Sequence, residues 1–203
     1  MKPHILKRLI LAGILLGMRL MPLTTVQILW VNMVTSVTVS LALAFEPLDP
    51  DVMKQPPRRP GAPIINAYYL WRITFVLLLI GGGTLWVTTR MHHADMDEAA
   101  VRVARTVTMQ CIVLAQWFHL FSSRSFRRSF FEVPFFSNPA VFVVSGALVL
   151  LQLGITYLPF MNRIFGTAPL SPRDWIPAVV LGLAVFLIVE AEKAAMRLFE
   201  RFR

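Results

Sequence analysis

Six apolar stretches, each close to the length needed to cross a bilayer, constrain this chain more than any other feature. They run roughly over Ile5–Met21, Val26–Phe45, Leu70–Thr89, Val103–Phe121, Ala140–Leu158 and Trp175–Val189. A membrane helix needs about 20 mainly apolar residues, within a range of about 17–25. The first and last stretches are short, so each needs flanking residues or a protein neighbour to cross. Composition agrees: 56% of the 203 residues are hydrophobic and 15% charged, against about 45–50% and about 25% in soluble chains. The expected fold is all-α, a polytopic membrane bundle of six transmembrane helices forming one domain over residues 1–203.

The opening "MKPHILKRLILAGILLG" does not read as a secretory signal, because it lacks a small-residue cleavage site and a second full apolar stretch follows it. A single cysteine, Cys111, excludes an intramolecular disulfide framework and any cysteine-based metal cluster. Sidedness follows from Lys and Arg, which accumulate in short cytoplasmic loops. Lys2, Lys7, Arg8, Lys54, Arg58, Arg59, Arg72, Arg124, Arg127, Arg128, Lys193, Arg197, Arg201 and Arg203 all fall on one face. Only Arg19, Arg90, Arg102, Arg105, Arg163 and Arg173 fall on the other. Both termini are therefore expected in the cytoplasm, with the chain integral to the plasma (inner) membrane. The net charge of +9 is accounted for by this asymmetry and by anionic headgroups, so nucleic acid is not an expected partner.

Polar residues inside such spans need a reason. In "VQILWVNMVTSVTVS", Val26 to Ser40, the residues Asn32, Thr35 and Ser36 share one helical face. Two readings stay open on the residues alone. Such groups join membrane helices through hydrogen bonds of about 0.6–2 kcal/mol, or bond back to their own helix. Alternatively, amides, hydroxyls and carbonyls are the oxygen ligands that hard cations take. In the fourth span, Gln116 is expected to make a helix–helix hydrogen bond, and His119 lies about a turn from the cytoplasmic end.

Other motifs read as structural. "MHHADMDE", Met91 to Glu98, gathers histidines and acids without the i, i+4 spacing of a helical metal site and is expected to be a solvated outer connector. "GGG", Gly81 to Gly83, suits close helix packing or a bend. "RSFRRSFFEV", Arg124 to Val133, interleaves aromatics with arginines as an interfacial segment does. The loop Glu46 to Pro63 carries six prolines and is expected to be extended.

"PLTTVQILWVNMVTS" followed by "LALAFEPLDPDVMKQPPRRP" strongly resembles the C-terminal membrane region of P-type cation-transporting ATPases, in the calcium and sodium/potassium pump branch. That family carries a "Q-[IL]-L-W-[VI]-N-[LM]-V-T" helix running into a "P-x-D-x-D-[IV]-M-x-x-P-P-R" loop. Pro47, Asp49, Asp51, Val52, Met53, Pro56, Pro57 and Arg58 match the loop here. "ARTV" at Ala104 to Val107 and "LFSSRS" at Leu120 to Ser125 resemble the two ends of the family's eighth membrane helix, and "VEAEKAAMRLFERF" its tenth.

The resemblance implies that the six spans are the pump's fifth to tenth helices. It also implies that the second span is partly unwound at mid-membrane, with Asn32 and Thr35 as oxygen ligands of the transported cation. Ser36 stands where related pumps have Asp. No carboxylate lies in the middle of any span, and the ligand positions of the preceding helix correspond to Pro3 and Leu6. The sequence has no "D-K-T-G-T" phosphorylation motif, so no catalytic residue and no bound cofactor are expected in this chain. ATP and magnesium would act only through missing domains. The expected partners are the lipid bilayer, the remaining domains or subunit of a P-type ATPase, and the transported cation. The competing expectation is a transport-inactive structural or regulatory six-helix protein derived from such a pump.

Overall fold

The computed structural model describes residues 22–47, 67–91, 96–125, 129–132 and 134–201. The expected first span, most of the proline-rich loop, residues 92–95 of the histidine-containing connector and residues 126–128 and 133 of the arginine–aromatic segment lie outside the described residues. Among the described residues all regular structure is helical. The order is α1 (Thr25–Ala44), α2 (Ala67–Met91), α3 (Glu98–Ser123), α4 (Pro139–Tyr157), α5 (Pro159–Phe165) and α6 (Ile176–Arg201), with 3-10 turns at Phe130–Glu132 and Phe135–Ser137 before α4.

The helix starts are written in the sequence. Thr24 accepts a hydrogen bond from the Gln27 amide, and the Gln27 side chain accepts one from the Thr24 backbone, a reciprocal capping box that satisfies two donors at the first turn of α1. Asp97 caps α3 through the Ala100 N–H at 2.8 Å, and Glu98 adds negative charge at the positive end of the helix. Asn138 caps α4 ahead of Pro139, whose missing N–H costs nothing at that position. Gly166 closes α5 in the left-handed conformation at φ 62°.

α1, α2 from Tyr68, and α4 are long and apolar enough to cross a membrane. α3 and α6 have 26 residues each, or about 39 Å at about 1.5 Å per residue, but both carry charge towards one end. α3 is the hub. It packs most extensively on α6 and also meets α1, α2 and α4, whereas α1 lies against α4, α3 and α5. One cluster joins Trp30, Val31 and Val34 of α1 to Met109, Ile112 and Val113 of α3 and to Leu148 and Ile155 of α4. Another, towards the Ala44 end of α1, joins Ala42, Leu120, Val141 and Val144. Leu29, Met33, Val37 and Leu41 of α1, Leu78 and Trp86 of α2, and Leu150 of α4 are exposed, which makes an apolar outer surface suited to lipid.

Of the three adjacent glycines only Gly83 is at a close approach. A Cβ there would collide with Leu181, whereas Gly81 and Gly82 have open space beside them. An equally close approach lies elsewhere: at Gly182 of α6 a Cβ would run into the Phe118 ring and come within 3.3 Å of the Leu114 carbonyl.

Candidate functional site

The middle of α1 carries the polar residues singled out from the sequence. Thr35 faces the core and is 3% exposed. Its hydroxyl donates to the Val31 carbonyl at 2.6 Å, and Thr38 does the same to Val34 one turn on. Asn32 and Ser36 are half-buried. They line one flank of the helix with Ile28, Val39 and Leu43, which are half-buried too. No hydrogen bond reaches the side chain of either residue from the described part of the chain. The sequence places the three on one face; the structure puts Thr35 inside and the other two at its edge.

The mid-membrane unwinding implied by the resemblance is not present, since α1 is a continuous helix from Thr25 to Ala44. The reason is local. The Val31 and Val34 carbonyls stay within the helix and take the Thr35 and Thr38 hydroxyls, so these groups find partners in their own helix.

Gln116 was expected to bridge helices, yet among the described residues it makes no hydrogen bond and its Oε1 is buried without a partner. Gln110 makes the bridge instead, donating Nε2 to Thr156 Oγ1 at 2.7 Å. Gln116 sits on α3 between Ile112 and Val113, which cluster with Val31 and Val34, and Leu120, which clusters with Ala42. It therefore belongs to the strip of α3 that faces the middle of α1. The sequence places both glutamines in one apolar span but cannot tell which one finds a donor or acceptor opposite.

His119 bonds through Nε2 to Ser123 Oγ at 3.1 Å, and its buried Nδ1 has no partner among the described residues. Among the described residues no group of three His, Cys, Asp or Glu side chains is placed to hold a metal ion. Ligation of a transported cation by this part of the chain would therefore rest on amide, hydroxyl and carbonyl oxygens.

Charged groups of α2 and α6, and of the residues just beyond α1 and α3, gather in pairs at one end of the bundle. Arg72 meets Glu192 at 2.7 Å, Arg124 meets Glu46 at 3.0 Å, and Lys193 pairs with Glu190. Lys193 also donates to the Ser122 carbonyl at 3.0 Å, at the negative end of α3. Glu190 and Lys193 follow the last apolar stretch. Burial raises the Glu190 carboxyl, but the hydrogen bonds from Lys193 and the Phe130 N–H, together with the Lys193 charge, outweigh it and hold the group below its ordinary 4.5. Burial takes Lys193 below its ordinary 10.5 despite the opposing pull of Glu190.

Comparison with known proteins gives this arrangement a family. The profile described as "Cation transporting ATPase, C-terminus" matches residues 20–195. The probable cation-transporting ATPase F of Mycobacterium bovis is 33% identical over 190 residues, covering 93% of this chain and 20% of that protein. Calcium-transporting ATPase 1 of Yarrowia lipolytica is 32% identical over 173 residues, 85% of this chain and 18% of its own length. The mouse calcium-transporting ATPase type 2C member 2 is 33% identical over 184 residues, 89% of this chain and 18% of its own. The chain thus spans about a fifth of the length of the curated relatives it matches. With its all-helical bundle and apolar spans, it belongs to the C-terminal membrane-domain family of the P-type cation-transporting ATPases.

Proposed function

We propose that this chain forms the ion-translocating membrane part of a P-type cation pump, and that Asn32, Thr35 and Ser36 of α1 supply oxygen ligands along the cation's path. The observation that carries the reading is the set of unpaired oxygens. Asn32 and Ser36 lack hydrogen-bond partners among the described residues, and the buried Gln116 Oε1 on the facing strip of α3 lacks one too. Polar groups in a membrane interior are costly when unsatisfied, and hard cations take such oxygens as ligands. Gln116 joins the set as a fourth contributor. The negative charge the site lacks would come from segments outside this chain.

On the six-span reading the termini and the paired charges lie in the cytoplasm, and the chain acts in the plasma membrane. ATP and magnesium act in domains that carry a phosphorylation motif, which are the chain's partners together with lipid and the transported cation. A second reading, a transport-inactive scaffold, draws on the unbroken α1 and on Thr35 bonding back to its own helix.

The two readings separate in a pump assembled from this chain and a phosphorylation-competent partner. Asn32→Ala should weaken cation-dependent phosphorylation, and Ser36→Asp should strengthen it. Unchanged cation dependence in Asn32→Ala would leave the scaffold reading standing.

A further inference from the structure

Side-chain hydrogen bonds to other elements fasten α1 at both ends, whereas among the described residues its middle is held by packing alone, with Val31 and Val34 in the core. At the outer end the Gln27 amide, 0% exposed, donates to the Phe165 carbonyl at 3.1 Å and to Gly166 at 3.4 Å. One turn further in, the Trp30 ring meets Phe165 edge-on at 4.9 Å, and its Nε1 reaches Gln152 Oε1 at 3.5 Å. At the inner end Glu46 follows the last turn of α1. Arg124 Nε donates to both of its oxygens at 3.1 Å, and an Arg124 Nη donates to Oε1 at 3.0 Å. The same Nη reaches Ser137 Oγ at 2.7 Å and the Pro134 carbonyl at 3.4 Å.

Asn138, the cap of α4, completes the joint. Its amide donates to Glu46 Oε2 at 2.8 Å and to the Ala42 carbonyl at 2.9 Å, while its own oxygen accepts from the Ala140 N–H at 3.0 Å. One carboxylate at the end of α1 is thereby tied to the end of α3 and the start of α4. The Arg124 side chain is 1% exposed, so the pair is shielded from competing water. A forked guanidinium–carboxylate contact fixes direction as well as distance. Sliding α1 by a single residue, about 1.5 Å, would break the contacts at both ends together.

We propose that Gln27 and Arg124 are positioning residues: they set the height and rotation of α1 against α3, α4 and α5, so that Asn32–Ser36 holds one register and only the middle of the helix yields to a cation. The purpose of this fastening rests on the cation-path reading; its existence does not.

The test is spin-label distance measurement on the full 203-residue chain in lipid nanodiscs. Labels replace the lipid-facing Met33 of α1 and Val143 of α4, while the native Cys111 is fully buried. The parent should give one narrow distance. Arg124→Gln and Gln27→Met should each shift or broaden it by more than about 1.5 Å, one residue's rise. Arg124→Lys, which keeps the charge without the fork, should restore part of the parent distribution. Arg173→Gln, at an exposed loop position, should match the parent. Where Arg124→Gln does not insert, Glu46→Gln carries the inner-end arm and should broaden the distance too. Parent-like distances in folded Gln27→Met and in the inner-end variant overturn the proposal. A parent with the narrow distance, a shifted Arg124→Gln and cation-dependent phosphorylation left unchanged by Asn32→Ala in the assembled pump keeps the fastening and refutes the cation path alone.

Discussion

Gln110 on α3 donates its side-chain amide to Thr156 Oγ1 on α4 at 2.7 Å, while its own buried Oε1 is unpaired among the described residues. This is a half-satisfied bridge, and it makes a directional prediction. Thr156→Val keeps the shape but leaves the Gln110 donor without a partner, at a cost of about 1–3 kcal/mol. Gln110→Leu removes the donor and the orphaned oxygen together and should cost less. Reversible unfolding in detergent, with both single variants and the double, should give that order.

The α3–α6 contact should be the least forgiving packing position. Gly182→Ala drives a methyl into the Phe118 ring and towards the Leu114 carbonyl, an overpacking worth about 1–3 kcal/mol. Gly82→Ala, with nothing beside it, should be neutral or mildly stabilising. Melting temperatures of the two variants should fall on opposite sides of the parent or differ by several degrees.

Acid should loosen the inner end through Glu190. Its carboxyl sits below its ordinary 4.5 in the folded chain, so its contribution is complete above that value and is lost as pH falls through the folded one. Glu190→Gln should flatten this part of the acid limb in melting curves taken across pH. Lys193 acts in the opposite range. Its folded value lies below 10.5, so the unfolded chain binds more protons there and Lys193 adds stability as pH rises towards 10.5.

Sidedness is open to chemical labelling. Single cysteines replacing Arg58 and Arg127 should react only with a cytoplasmic, membrane-impermeant thiol reagent, and one replacing Asp95 only from outside. Reaction from the opposite sides would refute the six-span arrangement.

The chain alone should show neither cation-dependent ATPase activity nor an aspartyl-phosphate, since it has no phosphorylation motif. Labelled phosphate retained on the purified chain would contradict this.

The elements were legible because their signals are local. Apolar length placed α1, α2 and α4, and Thr24, Asp97 and Asn138 announce helix starts through side chains that reach only two or three residues ahead. What could not be read is the choice between chemically equivalent groups. Gln110 and Gln116 differ by less than two turns of one helix, and only the helix opposite decides which of them is bonded. The same holds for Glu46, an acid at a loop edge in the sequence, whose place as the junction of α1, α3 and α4 depends on partners 78 and 92 residues away. The continuous course of α1 was also hidden, because hydroxyls that can ligate an ion can equally bond to their own backbone.

α3 has the most consequential position of all for how the molecule is made. More than half of its residues are buried in protein, and its outer turns carry Glu98, Arg102 and Arg105. It is not among the helices apolar enough to cross on composition alone. A helix whose solvent is other helices partitions poorly by itself when it leaves the translocon. Its insertion has to be shared: α2 can hold it at the lateral gate, and α6, more than fifty residues later in synthesis, supplies the surface it fits most extensively. Ribosome-bound chains ending before α6 should therefore leave α3 exchanging between membrane and aqueous sides, and the arrival of the last helix is the event that commits it.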